Sequence, residues 1–512
     1  MAIHLYLLFT AIVLALGCSW WRIRARRAFA KNIPVNINDI MFMGMDMTMF
    51  FRDAVGRFDY YNKMFLKHER MFVAMAGPLF HLALSHPDLI QKVLSHPKCL
   101  DKPYLYDFVE FELGLFSARY HQWKRVRKAA NPTFNLRILH SFIPLFDTCC
   151  KRMIKRLKQN EDGATIDLFK YTLRASAEMV CVTTMGGDVL QHKDLDELIH
   201  YTDVAMDLVS ARFLNLHHHF DIVYMLSSNY WKEKACRKRI VELSVQIMKD
   251  HRAKMQRETA SGSTAINNVD SETDEPLRKP VIFIDQFLSE SSKMEPFSEE
   301  EIVHNVATLL AAGSDTSGNV TAHAALFLAI YPEIQEKVFQ EINEICPDES
   351  VEITPELLKK LTYTEMFLKE TLRHCPVGPN IGRKNLVDIE LDGIIVPAGT
   401  TFLVSLHALH RQKAFWGPDP EKFDPDNFLP ERVKDRNPYA FLPFSIGARN
   451  CIGERYGMIS MKIMFIYIVR NFKLHTKLKH EELKYKFDIT LKLNFPHAVQ
   501  QERREKLIDL ST

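Results

Sequence analysis

The chain has 512 residues, of which 47% are hydrophobic and 25% are charged. This composition is ordinary for a globular protein, but the length exceeds that of a usual single domain. The net charge of +3 is small and the basic residues form no single tract, so no nucleic-acid partner is predicted. The nine cysteines include no C-x-x-C pair, which argues against a zinc knuckle or a disulfide framework and favours a reducing, cytosol-facing compartment.

An apolar segment at residues 2–21 is followed by the basic residues Arg22, Arg24, Arg26 and Arg27. About 20 apolar residues suffice to span a bilayer as a helix, and a basic cluster after the span stays on the cytosolic side. The first residues lack the basic start of a secretory signal peptide, which is the competing interpretation. We therefore predict an uncleaved transmembrane signal anchor in the endoplasmic reticulum membrane. Whether it spans the membrane or only associates with it stays open.

Behind the anchor we expect a linker at residues 22–50, one globular region at 51–500 and a tail at 501–512. Helical periodicity dominates from about 50 to 375, and residues 258–280 form a polar, low-complexity stretch that we expect to be an exposed loop. Strand-like runs are short, such as Ile389–Val396 and Thr401–Ser405. The sequence therefore predicts a mainly α fold with a small β-sheet.

Trp123 and Arg127 form a W-x-x-x-R pattern whose spacing of four places both on one helix face. An indole N–H and a guanidinium can together bind a carboxylate. The competing interpretation is an amphipathic basic helix with a core tryptophan.

A long helix is predicted from Ser298, which forms a capping box with Glu301, to the residues before Pro332. Its middle contains Gly313, which would let a ligand approach the backbone, and the adjacent pair Asp315 and Thr316. A carboxylate and a hydroxyl at one place can relay protons. Taken alone, the stretch would equally suit a surface acid and an interior threonine.

Glu370 and Arg373 are spaced by three, so they share a helix face. Such a pair is a weak signal by itself, because surface ion pairs at this spacing are common.

The strongest motif is F-x-x-G-x-R-x-C-x-G, formed by Phe444, Gly447, Arg449, Cys451 and Gly453. The glycines permit a tight turn, the arginine can bind a carboxylate and the cysteine can supply a thiolate. This combination suits an axial ligand of haem iron with a haem propionate nearby. A buried, inert cysteine is the alternative, and the complete motif disfavours it.

With these motifs in this order, the chain resembles the cytochrome P-450 family of haem-thiolate monooxygenases. The run Pro438–Ser445 is similar to the fatty-acid hydroxylase branch and its insect relatives. The resemblance implies one large domain of this type behind the anchor, with Cys451 as the iron ligand and Asp315 and Thr316 in proton relay. It also implies a core ion pair and contacts to the haem propionates, which fall here on Glu370 with Arg373, and on Trp123, Arg127, Arg383 and Arg449.

Two departures from the family pattern have consequences. Many relatives complete the core ion pair with an arginine, but that position holds Asn427, and Arg432 lies five residues late, so the third partner stays open. Many members of the branch carry a glutamate that links to haem at the position of Ala312. We therefore expect haem b to be bound non-covalently.

The resemblance implies a haem-dependent monooxygenase that inserts one atom of O2 into a lipophilic substrate. A fatty acid, a hormone or a xenobiotic such as an insecticide would suit an aromatic-rich segment at 104–116. No flavin or nucleotide fingerprint is present, so electrons are expected from an NADPH-dependent reductase, with cytochrome b5 as a possible second partner. The alternatives are a haem-thiolate isomerase or dehydratase acting on a peroxide, and a non-catalytic haem sensor.

Overall fold

A computed structural model of the chain describes residues 17, 33–34, 52–76, 79–109, 111–260, 280–285, 287, 296–486 and 488–504. The predicted anchor and linker lie outside these residues, apart from 17 and 33–34, and so does most of the predicted loop, 261–279. Across the described parts of the chain, no helix combines the length and the apolar character needed to cross a membrane. The prediction of a mainly helical fold with small sheets is confirmed.

The chain divides into two compact units. The first, which we call the sheet unit, takes its residues from Met1–Pro103, Gly378–Phe423 and Val433–Asn450. The second, the helical unit, comprises the rest: Tyr104–Val377, Asp424–Arg432 and Cys451–Thr512.

The sheet unit is built on a four-stranded sheet. Its strands lie in the order Met71–Ala76, Leu79–Leu84, Thr401–Ser405 and Asn380–Lys384. The two outer pairs are antiparallel and the middle pair is parallel, with His81 opposite Thr401. A separate hairpin joins Ile389–Leu391 to Ile394–Val396.

Helices pack on this sheet because alternate strand residues are apolar on one face. Leu82, Leu84, Phe402 and Val404 are fully buried and share a core with the helix Pro87–Leu94. The other helical elements of this unit are Ala54–Lys67, Leu406–Leu409, Lys413–Trp416 and the 3₁₀ turn Pro438–Ala440.

The helical unit contains the long helices. Their bounds are Tyr120–Ala130, Leu136–Ser141, Ile143–Leu157, Leu168–Met185, Leu195–Leu214, Asp221–Met225, Ser228–Ala260, Glu299–Ile330, Pro332–Ile345, Pro355–Lys360, Thr362–His374 and Glu454–Asn471. A sheet of Thr165–Asp167, Ala498–Arg503 and Phe472–His475 and a hairpin of Tyr485–Lys486 with Lys492–Leu493 complete it. The short helix Pro430–Asp435 begins in this unit and ends in the sheet unit. The 3₁₀ turns of the helical unit are Tyr104–Val109, Asn131–Phe134, Gly187–Gln191, Leu216–His219, Pro425–Phe428 and His480–Glu482.

The helix Glu299–Ile330, called here the central helix, begins and ends where the sequence predicts. Ser298 and Glu301 form the reciprocal capping box, and Pro332 opens the next helix after Tyr331. Every residue from 317 to 329 is buried, so its second half lies in the core of the unit. Most of its stability therefore comes from packing.

Two glycines let the central helix approach the helix Leu168–Met185 closely. A Cβ on Gly318 would lie 2.7 Å from Leu173 Cα, and a Cβ on Gly313 would lie 2.6 Å from Val180 Cγ2. Across the same contact, Thr172 Oγ1 donates to the Gly318 carbonyl at 2.8 Å, and Ser176 Oγ to the Gly313 carbonyl at 2.9 Å. Gly313 is thus explained by helix packing, and its predicted role in close ligand approach stays a prediction.

Two features differ from the predictions. The strands Met71–Ala76 and Leu79–Leu84 fall in the part of the chain where helical periodicity dominates. They form because Leu79–Leu84 pairs with Thr401–Ser405, more than 300 residues later. At the other end, the strand Ala498–Arg503 continues past residue 500, where a tail was expected, because it is paired on both edges.

Candidate active site

Cys451 differs from the other described cysteines in its exposure. It is solvent-exposed, while Cys99, Cys149, Cys150, Cys181, Cys236, Cys346 and Cys375 are all buried. Burial raises the pKa of the interior thiols, to about 11 for Cys99 and to about 12 for Cys181. A thiol that must ligate a metal as a thiolate is better placed at the surface of a cleft than inside an apolar core. Of the described cysteines, only Cys451 meets this requirement.

The surroundings of Cys451 within the helical unit favour a negative charge. The helix Glu454–Asn471 begins three residues later, and its N-terminal N–H groups carry partial positive charge. A Cβ on Gly453 would lie 3.8 Å from Cys451 Sγ, in ordinary van der Waals contact, so Gly453 adjoins the sulfur. Burial lowers the pKa of Arg127, and the neighbouring Cys451 charge pushes that pKa back up.

Trp123 and Arg127 lie on the same helix, Tyr120–Ala130, as their spacing predicts. Trp123 is buried and Arg127 is half-buried. Arg127 Nε donates to Asn131 Oδ1 at 2.8 Å, which fixes the stem of the side chain. A negative charge on Cys451 raises the pKa of Arg127, so these two predicted cofactor residues lie in the same part of this unit.

The cysteine motif begins in the sheet unit, where its first glycine is required. Gly447 has φ of +75°, and a Cβ there would lie 2.1 Å from the Leu94 carbonyl oxygen. Ser445, two residues earlier, also has a positive φ, of 62°. Only glycine fits position 447 without moving the helix Pro87–Leu94. Phe444 is half-buried beside this turn.

Arg383 and Arg449, both in the sheet unit, are brought together. Their exposed fractions are 2% and 6%. Arg383 Nη2 donates to the Arg449 carbonyl at 3.3 Å, and Arg449 Nε donates to the Leu100 carbonyl at 2.9 Å. Two guanidinium groups this deeply buried form a positive region that suits a carboxylate ligand.

The core ion pair is fully formed in the helical unit. Arg373 donates to Glu370 from Nε and from Nη2, each at 2.7 Å, and both side chains are completely buried. The backbone N–H of Asp424 donates to Glu370 Oε1 at 2.8 Å. Burial alone would raise the pKa of Glu370, but Arg373 and His374 outweigh it and lower that pKa to about 2.

Asn427 is the third partner of this pair. Its side-chain Nδ2 donates to Glu370 Oε1 at 3.2 Å. Arg432, the other candidate, pairs instead with Asp424 at 3.3 Å, and its side chain is 49% exposed. A neutral amide therefore replaces the expected guanidinium, and His374 Nε2 lies 3.4 Å from the same oxygen.

The middle of the central helix presents one accessible face. Ala312 is exposed, and Leu309, Gly313 and Thr316 are half-buried. Their spacing of three, four and seven places them on one face. Thr316 Oγ1 donates back to the Ala312 carbonyl at 2.7 Å. Around Ala312 and Gly313, which are small, this accessible face leaves room for a ligand, while the second half of the helix is wholly buried.

Asp315 lies on a different side of the central helix and meets a lysine that the sequence does not reveal. Lys492 Nζ lies 3.6 Å from Asp315 Oδ1, and the two side chains are 15% and 7% exposed. The same Nζ lies 3.5 Å from Oδ1 of Asp207, whose side chain is 66% exposed. Burial lowers the pKa of Lys492, but Asp315 and then Asp488 and Asp207 raise it above its ordinary value.

These features fit a haem with a thiolate ligand. The donor set contains an accessible thiol at a helix N-terminus, guanidinium groups for carboxylates, and a small-residue helix face. Among the described residues, no cluster of three or more His, Cys, Asp or Glu side chains could hold a separate metal ion. The sequence analysis did not identify the contacts of Lys492 and His374. Lys492 meets Asp315 only through tertiary folding, and the motif that contains Glu370 and Arg373 specifies no histidine.

Comparison with known proteins shows which family the chain resembles. Residues 47–497 match the family described as Cytochrome P450. The chain is 28% identical over 496 residues to "Cytochrome P450 4c21" of Blattella germanica, covering 96% of this chain and 97% of that protein. It is 30% identical over 453 residues to "Probable cytochrome P450 313a1" of Drosophila melanogaster, covering 86% and 88%. With "Cytochrome P450 4V2" of Mus musculus it shares 28% over 494 residues, covering 95% and 91%.

These relatives confirm the resemblance predicted from the sequence motifs, including the resemblance to insect members of the family. The family binds haem b non-covalently through a cysteine thiolate, as expected for this chain. The chain therefore belongs to the cytochrome P450 family and is a haem-dependent monooxygenase.

Proposed function

We propose that the chain holds haem b through the Cys451 thiolate and inserts one oxygen atom of O2 into a lipophilic substrate, with electrons from NADPH through a separate reductase. The observation that carries the proposal is the position of Cys451. It is exposed where the other described cysteines are buried, precedes a helix N-terminus and interacts with Arg127.

Four side chains would bind the haem propionates. The family resemblance assigns this role to Trp123, Arg127, Arg383 and Arg449, and all four are buried or half-buried. Guanidinium forks match carboxylates bidentately, and the indole contributes one N–H. Phe444, Gly447 and Gly453 shape the loop that carries the thiolate, and the pair of Glu370 and Arg373 holds the chain near Asp424 in place. Haem with a thiolate ligand supplies the activation of dioxygen.

Proton supply is assigned to the central helix. Thr316 presents its hydroxyl on the accessible face, and Asp315 points to Lys492 on another side. Neighbouring helix residues lie a little over a quarter turn apart, so a water would link the carboxylate to the hydroxyl. Asp207 and Lys492 connect Asp315 to the surface. Lys492, whose pKa is raised, would stay charged and hold the Asp315 carboxylate in place, and protons would pass through water between Asp315 and Thr316 Oγ1.

The aromatic segment at 104–116 supports an apolar substrate, although two of its rings serve the core. Phe108 packs on His219 and Phe111 on His304, with ring centroids 5.0 and 5.4 Å apart. Tyr106 and Phe116 form a half-buried pair at 5.2 Å. We assign substrate contact to this second pair. A fatty acid, a hormone or a xenobiotic fits such a wall.

The segment is fixed against the central helix. Asn305 Oδ1 accepts from the Leu115 N–H at 3.0 Å, and a Cβ on Gly114 would lie 2.1 Å from Thr308 Oγ1. This contact lies one turn before Leu309, where the accessible face begins. The substrate segment and the accessible face therefore adjoin.

Electrostatic attraction to exposed basic residues would dock a reductase. Lys124 and Lys128 are exposed on the helix that carries Trp123. Basic side chains there would attract an acidic partner surface, as an NADPH-dependent reductase or cytochrome b5 would present. Charge reversal at both lysines should slow reductase-supported turnover more at low than at high salt. Unchanged turnover in reductase titrations would contradict the docking.

We further propose attachment to the endoplasmic reticulum membrane with the catalytic part, residues 51–500, in the cytosol. The apolar segment 2–21 and its following arginines support this placement. A group of exposed apolar side chains adds a second contact, with exposed fractions of 66% for Phe220, 78% for Ile222, 84% for Leu226 and 62% for Trp231. Such a patch suits a lipid surface.

The decisive experiment for the reaction class compares Thr316→Ala with Thr316→Ser. In a monooxygenase, the alanine variant should consume oxygen but form roughly tenfold less product per oxygen, while serine restores coupling. An isomerase acting on a peroxide, or a haem sensor, would show no such loss. The adjacent Asp315 and Thr316, with Lys492 beside Asp315, favour the monooxygenase.

A further inference from the structure

The helical unit contains a second concentration of charge, centred on Glu178 of the helix Leu168–Met185. The Glu178 side chain is fully buried, and three guanidinium groups bind it. Arg152 donates from Nε at 3.3 Å and Arg174 from Nε at 3.0 Å, and Arg156 makes a closer contact. Burial would raise the pKa of Glu178, but Arg156, Arg152 and Arg174 lower it below its ordinary value.

One carboxylate cannot balance three guanidinium groups. Asp196 accepts from Arg174 but is 79% exposed, so solvent screens it. Lys193 adds a further positive charge beside the cluster. Four cations and two carboxylates, those of Glu178 and Asp196, therefore lie together here. Asp194 and Asp250 also contact the His192 ring, and Asp250 interacts with Lys193.

These cations line a cavity of about 480 Å³, whose walls include Arg152, Arg156, Arg174, His192 and Lys193. The three arginine side chains remain 24% to 39% exposed, so part of each guanidinium faces the cavity. Each guanidinium has five N–H donors, more than the bonds to Glu178 and Asp196 use. Arg152, Arg156 and Arg174 stand on helices, which holds the donors in place.

We propose that this cavity binds the phosphate group of a small anion. A phosphomonoester carries nearly two negative charges at neutral pH, which suits a wall that contains three guanidinium groups and one ammonium group. Its oxygens accept bidentate bonds from arginine forks, which lysine supplements as a point charge. The site uses none of the residues assigned to haem or oxygen chemistry, so it stands apart from the proposed reaction. The phosphate belongs to a soluble ester or to an anionic lipid headgroup.

The test titrates inorganic pyrophosphate into the full-length, haem-loaded protein by calorimetry, with sodium chloride at matched ionic strength as the blank. Arg152→Gln removes the arginine with the longest bonds to Glu178 and should weaken binding about tenfold, the effect of one lost charged hydrogen bond. Lys193 is not among the three residues that bind Glu178, so Lys193→Gln should weaken binding without disturbing the buried cluster. Arg70→Gln, which breaks an exposed ion pair with Asp392 in the sheet unit, is the matched control and should bind as the wild type does.

A second arm distinguishes the two sources. Flotation with phosphatidylcholine vesicles is compared with and without phosphatidic acid, so that only headgroup-dependent binding is counted. Variant-sensitive binding of pyrophosphate alone assigns a soluble ester, and variant-sensitive binding of the phosphatidic acid vesicles assigns a lipid. If Arg152→Gln and Lys193→Gln match the wild type and Arg70→Gln in both arms, the proposal is overturned.

Discussion

The Asn427 side-chain Nδ2 donates to Glu370 Oε1 at 3.2 Å, at a position where many members of the family carry an arginine. The Glu370 carboxylate therefore contacts Arg373 and His374 from its own helix and receives neutral N–H donors from the segment around Asp424 and Asn427. Removing a charge from a buried cluster lowers the desolvation penalty, so the amide can hold the loop without a third ion.

Asn427→Asp tests this relationship. It would place a second carboxylate beside the buried Glu370, and like charges at this distance in the interior are strongly unfavourable. We expect a loss of about 2 kcal/mol or more in the free energy of unfolding, measured with denaturant. Asn437→Asp is the control, because Asn437 Nδ2 donates to Asp88 at 2.9 Å on the exposed surface. Equal effects of the two substitutions would contradict the buried arrangement.

Glu370 should also make stability depend on acid. Its pKa in the folded chain is about 2, below the ordinary value of 4.5. A depressed carboxyl pKa contributes stability that is present above the unfolded value and lost as pH falls through the folded value. The free energy of unfolding should therefore fall by about 3 kcal/mol between pH 5 and pH 2 on account of this group.

The control for that prediction is Glu370→Gln, which is less stable at neutral pH but cannot lose this contribution. The difference between wild type and variant should shrink as pH falls from 5 to 2. A difference that stays constant over this range would show that Glu370 is not the group responsible.

Lys492 should act on proton delivery through Asp315. Lys492→Met would leave the Asp315 carboxylate without its 3.6 Å partner and cut the connection to Asp207. We expect less product per oxygen consumed, a changed pH profile of coupling, and a larger solvent isotope effect. Lys492→Arg should restore coupling because it keeps the charge. A variant that loses only stability, with coupling and pH profile intact, would show a purely structural role.

The two packing glycines of the central helix should respond differently to alanine. At Gly318 the new Cβ would meet the Leu173 backbone at 2.7 Å, which cannot move cheaply. At Gly313 it would meet the Val180 side chain, with the nearest methyl group at 2.6 Å, and a side chain shifts at lower cost than backbone does. Gly318→Ala should cost about 2 kcal/mol of unfolding free energy, while Gly313→Ala should be partly offset by better helix propensity. Thermal unfolding of both variants measures the contrast, and a larger loss at Gly313 would reverse it.

Local signals in the sequence predict the features that depend on neighbouring residues. The capping box at Ser298, the stop at Pro332 and the shared face of Trp123 and Arg127 all follow from spacing along one helix. The family motifs likewise give the order in which the predicted site residues occur along the chain. These features need no knowledge of where distant parts of the chain meet.

Features that depend on distant partners could not be read in this way. The strand Leu79–Leu84 is stabilised by Thr401–Ser405, and Lys492 meets Asp315 from 177 residues away. Both Asn427 and Arg432 were chemically able to complete the ion pair, and only the geometry shows that Arg432 turns to Asp424. The sheet and the contact between Asp315 and Lys492 therefore required the structure.

The central claim is that Cys451 binds haem iron as a thiolate, and a carbon monoxide difference spectrum of the reduced protein tests it most directly. The wild type should show the strongly red-shifted Soret band of a thiolate-ligated haem, and Cys451→Ser should lose it. Cys99→Ser, which alters a buried thiol, should keep it. A wild-type spectrum with an ordinary Soret position, or a red-shifted band that survives Cys451→Ser, would contradict the claim.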